Sequence, residues 1–269
     1  MATSTPSPTN TVFGRGAIYF DRFDANGVRS GQFKHLGNCS NFASSVSSDS
    51  VDLINYLENT SAPYNTAIKS TDVELKIEGF EFAPSVLAPV FMGDVSSYTQ
   101  AAVTVTTETI AAASLTGLKG SFFKAAWRNI SAATMLQGTA TLVSGTDWEI
   151  ANAYTGLFRV KPGGSVADGT ALKVNYTAAA LTAGSTALET IRIFNQSNIY
   201  GQILFVPNNS SGPNLELVAW YCSLKPDGDI SLISDDWAKW SMSGKMLSDA
   251  AGAYGGSTTE PYGRITKQS

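Results

Sequence analysis

The chain has 269 residues, with Lys and Arg totalling 18 against 22 for Asp and Glu, a formal net charge of -4, and charged residues making up only 15%. This acidic balance excludes the basic footprint by which proteins grip nucleic-acid phosphates. One histidine and two cysteines leave little for histidine-dependent catalysis and no disulfide framework. With 43% hydrophobic residues, and Ser, Thr, Gly and Asn in place of Lys and Glu, the composition predicts a mainly β chain with surface covered in an assembly.

Residues 1–11 are Ser-, Thr-, Pro- and Asn-rich and read as a flexible arm. MATSTPSPTN has neither the basic nor the apolar region of a signal peptide, and no run of about 18 apolar residues follows, so neither export nor a membrane anchor is expected. From Gly16, AIYFDRF predicts a strand, and Asn26-Gly27 a tight hairpin turn into FKHLGN and NFASSVSS. Residues 49–70 show no sustained period and are expected to form a long contact loop. In TDVELKIEGFEF, Val73, Leu75 and Ile77 alternate with Glu74, Lys76 and Glu78, predicting a strand with one buried and one charged face. APSVLAPVFMGD allows a short helix from Pro84 to Gly93, with Pro89 disturbing its interior.

Between residues 99 and 188 the texture changes to short strands (LV, WEI, LFRV, ALKVNYT) separated by the turns SGTD, AYTG, KPGG and VADG. That pattern predicts an inserted β-sandwich. Residues 12–98 and 189–269 then form the two parts of one core domain. Its second part reads as IRIFN, GQILFVP, NLELVAWYCSLKP, a DGD hairpin turn, ISLIS and WAKWSMSGKML, with periodicity lost from Ala250.

Chemical motifs are sparse. His35 stands alone, and no nucleophile elbow surrounds a serine. Gly14 and Gly16 lack the third glycine, helix and lysine of a phosphate loop and read as flexibility before a strand. Asp21, Asp24 and Asn26 lack the closing Glu of a calcium loop, and Asp235/Asp236 read as a turn rather than a glycosidase pair. Trp220, Tyr221, Trp237 and Trp240 are either a sugar-stacking platform or packing residues, with packing expected. Asn-x-Ser/Thr triplets, among them those at Asn38, Asn59, Asn129, Asn175, Asn208 and Asn209, follow from composition. Cys39 and Cys222 could form one bridge, but two free, mostly buried thiols are expected. No catalytic, cofactor-binding or metal-binding residue is assigned.

Three segments together resemble the major tail tube proteins of long-tailed, siphovirus-type bacteriophages: GRGAIYFDRFDANG with GQFKHLGNCSNFASSVSSD; the loop, TDVELKIEGFEF and SVLAPVFMGD; and LVAWYCSLKPDGDISLISDDWAKWSMSGKML. They cover roughly two thirds of the chain. Pro84 and Pro89 depart from the Leu- and Ala-rich helix of that family, and GTDWEIANAYTGLFRV with DGTALKVNYT is similar to the immunoglobulin-like modules such phages carry. The resemblance implies a tail-tube β-sandwich or half-barrel core with one short flanking helix, plus an inserted immunoglobulin-like β-sandwich projecting outside the tube. It implies hexameric rings stacking into a virion tail tube, assembled in the host cytoplasm, with the tape measure and tail completion or tip proteins as partners. Double-stranded DNA passes through the lumen without tight binding, and neither cofactor, catalysis nor membrane is involved. Glu74, Lys76 and Glu78 become lumen-facing candidates. Leu53, Ile54, Tyr56, Leu57 and Tyr64, too apolar for a solvated loop, become inter-ring contacts. The alternatives are a decoration protein, a contractile-apparatus tube, or a carbohydrate-binding β-sandwich adhesin.

Overall fold

The computed structural model describes residues 11–56, 63–184 and 188–268. Among them are seventeen strands and one short helix, so the chain is mainly β. It divides into two compact units, one made of residues 1–96 and 190–269 and the other of residues 97–189.

In the first unit, β1 (Gly16–Arg22) sends Ile18 and Phe20 into the core. Gly16 is more than a flexible joint there, because a Cβ would lie 2.4 Å from the Val206 carbonyl oxygen. The turn after β1 is tied by the Asp24 carboxylate, which accepts the N–H groups of Asn26 and Val28 at 2.9 and 2.8 Å. β2 (Lys34–His35) then pairs back on Tyr19 and Phe20. β3 (Cys39–Ile54) and β4 (Pro63–Gly79) form one long antiparallel hairpin. The loop expected at 49–70 is therefore a continuation of the ladder, with its tip at 57–62 outside the described residues. Backbone pairing needs no apolar alternation, and where neither face is covered the period that announces a strand is missing.

α1 (Pro84–Val90) follows. Pro84 occupies its first turn, where a backbone N–H would have no helical partner, and Pro89 falls in its last turn, so the helix is short rather than kinked. Val86 and Val90 pack on the core, and Met92 adopts a left-handed φ of 48 as the chain turns into β5 (Asp94–Tyr98).

The second unit holds β6 (Val103–Ala111), β7 (Phe122–Lys124), β8 (Ile130–Gln137), β9 (Ala140–Leu142), β10 (Trp148–Asn152), β11 (Leu157–Val160) and β12 (Leu172–Ala178). These make a four-stranded sheet ordered β6-β12-β8-β9 and a three-stranded sheet ordered β10-β11-β7. Inward residues of both, including Trp148, Phe158, Met135, Leu172 and Tyr176, form one core, with Phe158 within 6.4 Å of both the Trp148 and Tyr176 rings. The Tyr176 hydroxyl donates to Glu108, and burial with that carboxylate raises its pKa.

Two aspartates fasten this unit's loops. Asp147 accepts N–H bonds from Ser165 and Val143 at 2.7 Å each, and Asp168 accepts from Gly117 and Leu118 at 3.0 and 3.1 Å. These backbone donors hold both carboxyls below the usual carboxylate range. A carboxyl so depressed stabilises the fold above its unfolded value, roughly pH 4, and that contribution is lost as pH falls further through the folded value. The near-ultraviolet dichroism of the unit is therefore expected to weaken below about pH 4. Asp147→Asn should be less stable at neutral pH yet lose less on acidification. An identical acid profile for the two proteins would contradict this.

The chain returns through β13 (Leu188–Arg192), which pairs with β5, and continues as β14 (Ile199–Pro207), β15 (Asn214–Pro226), β16 (Trp240–Met246) and β17 (Gly263–Gln268). The large sheet is ordered β2-β1-β14-β15-β16-β4-β3, with β17 on the first half of β15. Its core gathers Ile18, Phe20, Leu75, Ile77, Ile203, Leu224, Trp240 and Met242. Two expectations are corrected here. DGD does not make a tight turn; residues 227–239, ISLIS among them, form an open loop between β15 and β16. The Gly-rich tail, in contrast, ends in a strand. β17 is exposed along almost its whole length, so it carries no buried alternation to read. The loop before it folds around Asp249, whose carboxylate accepts N–H bonds from Ala253, Tyr254 and Gly256 at 2.8 to 2.9 Å.

Candidate assembly surface

β4 presents its charged residues on the face opposite the core. Val73, Leu75 and Ile77 are buried, Glu74 and Lys76 are exposed and Glu78 is partly so. The register sets Glu74, Lys76 and Glu78 beside Ser45, Ala43 and Asn41 of β3 and beside Lys245, Ser243 and Ser241 of β16. Ser223 and Lys225 of β15 extend this face. Two of its lysines are held by carboxylates: Lys76 lies 3.3 Å from Glu78 and 3.8 Å from Asp227, and Lys245 donates to Asp72 at 2.8 Å, which raises the Lys245 pKa. Asp72, Glu74, Glu78 and Asp227 thus outnumber Lys76, Lys225 and Lys245. The result is a serine-rich surface with a slight negative excess.

Beyond this face the hairpin changes character. Phe42 and Ser44 sit opposite Ile77 and Leu75, and the next pair on that side, Val46 and Val73, marks the edge of the core, because Val46 is 72% exposed while Val73 is 8%. A register shift follows between Asp49 and Ser50, with Lys69 left out of the pairing and 3.7 Å from Asp49. The outer arm then pairs Val51 with Ala67, Asp52 with Thr66 and Leu53 with Asn65, and the Thr66 hydroxyl donates to Asp52 at 2.6 Å. Alternation puts Val46 and Ile68 on one face and Val51 and Leu53 on the other. Val51, Leu53, Ile54, Tyr56, Tyr64 and Ile68 are all exposed, Tyr56 at 82%. A two-stranded ribbon with no covered face is marginal by itself. Of the five contact candidates, Leu53, Ile54, Tyr56 and Tyr64 lie on this arm, while Leu57 lies outside the described residues, as does the N-terminal arm except Thr11.

The other motifs serve local structure. Asp21 is buried and accepts from the Ser30 hydroxyl and the Gly31 N–H at 2.6 and 2.8 Å, so with Asp24 it organises the first hairpin rather than a cation site. Among the described residues no group of three His, Cys, Asp or Glu could hold a metal, and no helix is long and apolar enough to cross a membrane. The exposed His35 accepts from the Gly37 N–H at 3.0 Å. The four aromatic candidates do not share a platform. Trp240 is fully buried and donates to the Glu81 carbonyl at 2.8 Å, Trp220 is buried under the Arg264 guanidinium, and Trp237 is 83% exposed in the 227–239 loop.

Both cysteines are free. Burial, reinforced by Glu81, pushes the Cys39 thiol up to about 11, and burial pushes Cys222 up to about 12. Thiolate is the reacting form, so the native chain at pH 8 is expected to take up maleimide slowly and the unfolded chain rapidly at two sites. Fast stoichiometric labelling of native Cys39 would contradict this.

A family model described as "protein of unknown function UCP028589" matches residues 11–266. The chain belongs to that family. In this UCP028589 protein the match runs through both compact units, so the inserted 97–189 segment lies within the family's matched span. No curated protein matches the chain.

Proposed function

We propose that this protein is the structural subunit of a phage-type tail tube, forming rings that stack around a channel for double-stranded DNA. The observation that carries the reading is the β3–β4 arm, a long paired ribbon that displays apolar side chains on both faces and has no cover within its own unit among the described residues. Such a ribbon is stabilised when neighbouring copies cover it. Two further features support the reading. The large sheet is open, bounded by β3 on one side and the two-residue β2 on the other, and a closed cylinder of copies would satisfy both edges. The polar face of β4, β15 and β16 keeps Lys76 and Lys245 engaged by carboxylates and carries a slight negative excess, so a polyanion could slide past it rather than bind. Glu74, Lys76 and Glu78 face the channel in this arrangement, and the tape measure and tail-end proteins are the expected partners.

Sedimentation velocity of the purified chain over a concentration series tests the proposal. Species many times heavier than the 28.4 kDa chain should grow with concentration, and a monomer that persists at all concentrations would contradict it.

A further inference from the structure

The unit made of residues 1–96 and 190–269 exposes a second apolar surface, at the opposite end of the same strand from the arm. β4 starts in the arm at Pro63 and ends at Gly79, where its neighbour in the ladder is Trp240. Trp240 begins β16, and Pro226, which ends β15, pairs with Met242. The 227–239 loop therefore leaves the sheet at the Gly79 end. It holds Leu232, Ile233 and Trp237 at 77%, 95% and 83% exposure, and Trp237 borders an open hollow with Asn38, Phe80 and Glu81. The 17 residues of β4 separate the two surfaces by roughly 50 Å at about 3.3 Å per residue, so one copy cannot bring its own arm to its own loop.

We infer that the arm of one copy docks on the 227–239 loop of the next copy along the strand direction, with Leu53 and Tyr56 against Leu232, Ile233 and Trp237. This deepens the tube reading and rests on it. Contact between two different patches is heterologous, and because the two patches lie at opposite ends of β4 it advances along the strand from copy to copy instead of closing a ring, which is the relation that stacking requires. Apolar surface drives the contact, because charge does not. The arm carries Asp49 and Asp52 against Lys69, and the loop carries Asp227, Asp229, Asp235 and Asp236 against Lys239, so both surfaces are net acidic.

The test mixes the Leu53→Cys chain with the Ile233→Cys chain under mild oxidation, each also carrying Cys39→Ser so that the half-buried native thiol cannot take part, and images the same sample by negative-stain electron microscopy. A disulfide needs Cα atoms within about 7 Å, so a covalent dimer that requires both variants is expected, with neither variant giving it alone. Dimers from Leu53→Cys alone would mean arm-to-arm contact and overturn the inference. Tubes without the mixed dimer would overturn the inference and leave the tube reading standing. The mixed dimer without tubes would uphold the arm-to-loop contact and remove the tube reading, and neither product would remove both.

Discussion

Replacing Leu53, Ile54 and Tyr56 together by serine should leave a folded, soluble chain that no longer assembles. All three are exposed on the hairpin arm and lie outside the core cluster, so their loss should change monomer stability by no more than about 0.5 kcal/mol per site, as at other surface positions. In the proposed assembly the same side chains would be covered, and burying three of them contributes on the order of 5 kcal/mol per contact before ordering entropy is subtracted. Repeated at every contact, that loss shifts association by orders of magnitude. Light scattering at matched concentration, beside a denaturant melt of the monomer, checks both halves. Normal assembly by the triple variant, or a monomer destabilised by several kcal/mol, would show that the arm has another role.

Trp240→Ala should have the opposite signature, unfolding the subunit itself. Trp240 is fully buried at the start of β16, donates its indole N–H to the Glu81 carbonyl at 2.8 Å, and fills the space that Gly79 leaves open across the ladder, where a Cβ would lie 2.4 Å from the ring. Removing the ring creates a cavity at the centre of the core and takes away the donor to the Glu81 carbonyl, at a cost of about 3–5 kcal/mol. That is a large share of the roughly 5–15 kcal/mol by which a domain is stable. Urea titration should show a much lower midpoint with an unchanged slope. A shift worth less than about 1 kcal/mol would mean that the site collapses around the missing ring.

What the sequence revealed depended on which residues have one face covered. β4 was readable at Val73, Leu75 and Ile77 because the core lies on one side and water on the other. β12, with Leu172, Val174 and Tyr176 buried in alternation, was readable for the same reason. The arm was read as a loop because Val51, Leu53, Ala67 and Ile68 have no covered face to impose a period, although its apolar content was visible without the pairing. β17 was missed on the same ground. Asp21 and Asp24 were visible as an acidic pair, but only the structure shows both carboxylates spent on turn N–H and hydroxyl donors. The apolar loop at Leu232, Ile233 and Trp237 was obscured because ISLIS carries the composition of a strand, and burial, which composition does not encode, decides whether such a run is core or surface. Its position at the far end of β4 from the arm depends on register, which no local pattern supplies.

Electron microscopy of the purified, concentrated chain tests the tube proposal most directly. Stacked rings around an axial channel, with the β3–β4 arm crossing from one ring to the next, are the expected result. Monodisperse single subunits under all assembly conditions, or an ordered oligomer in which the arm faces solvent, would contradict it.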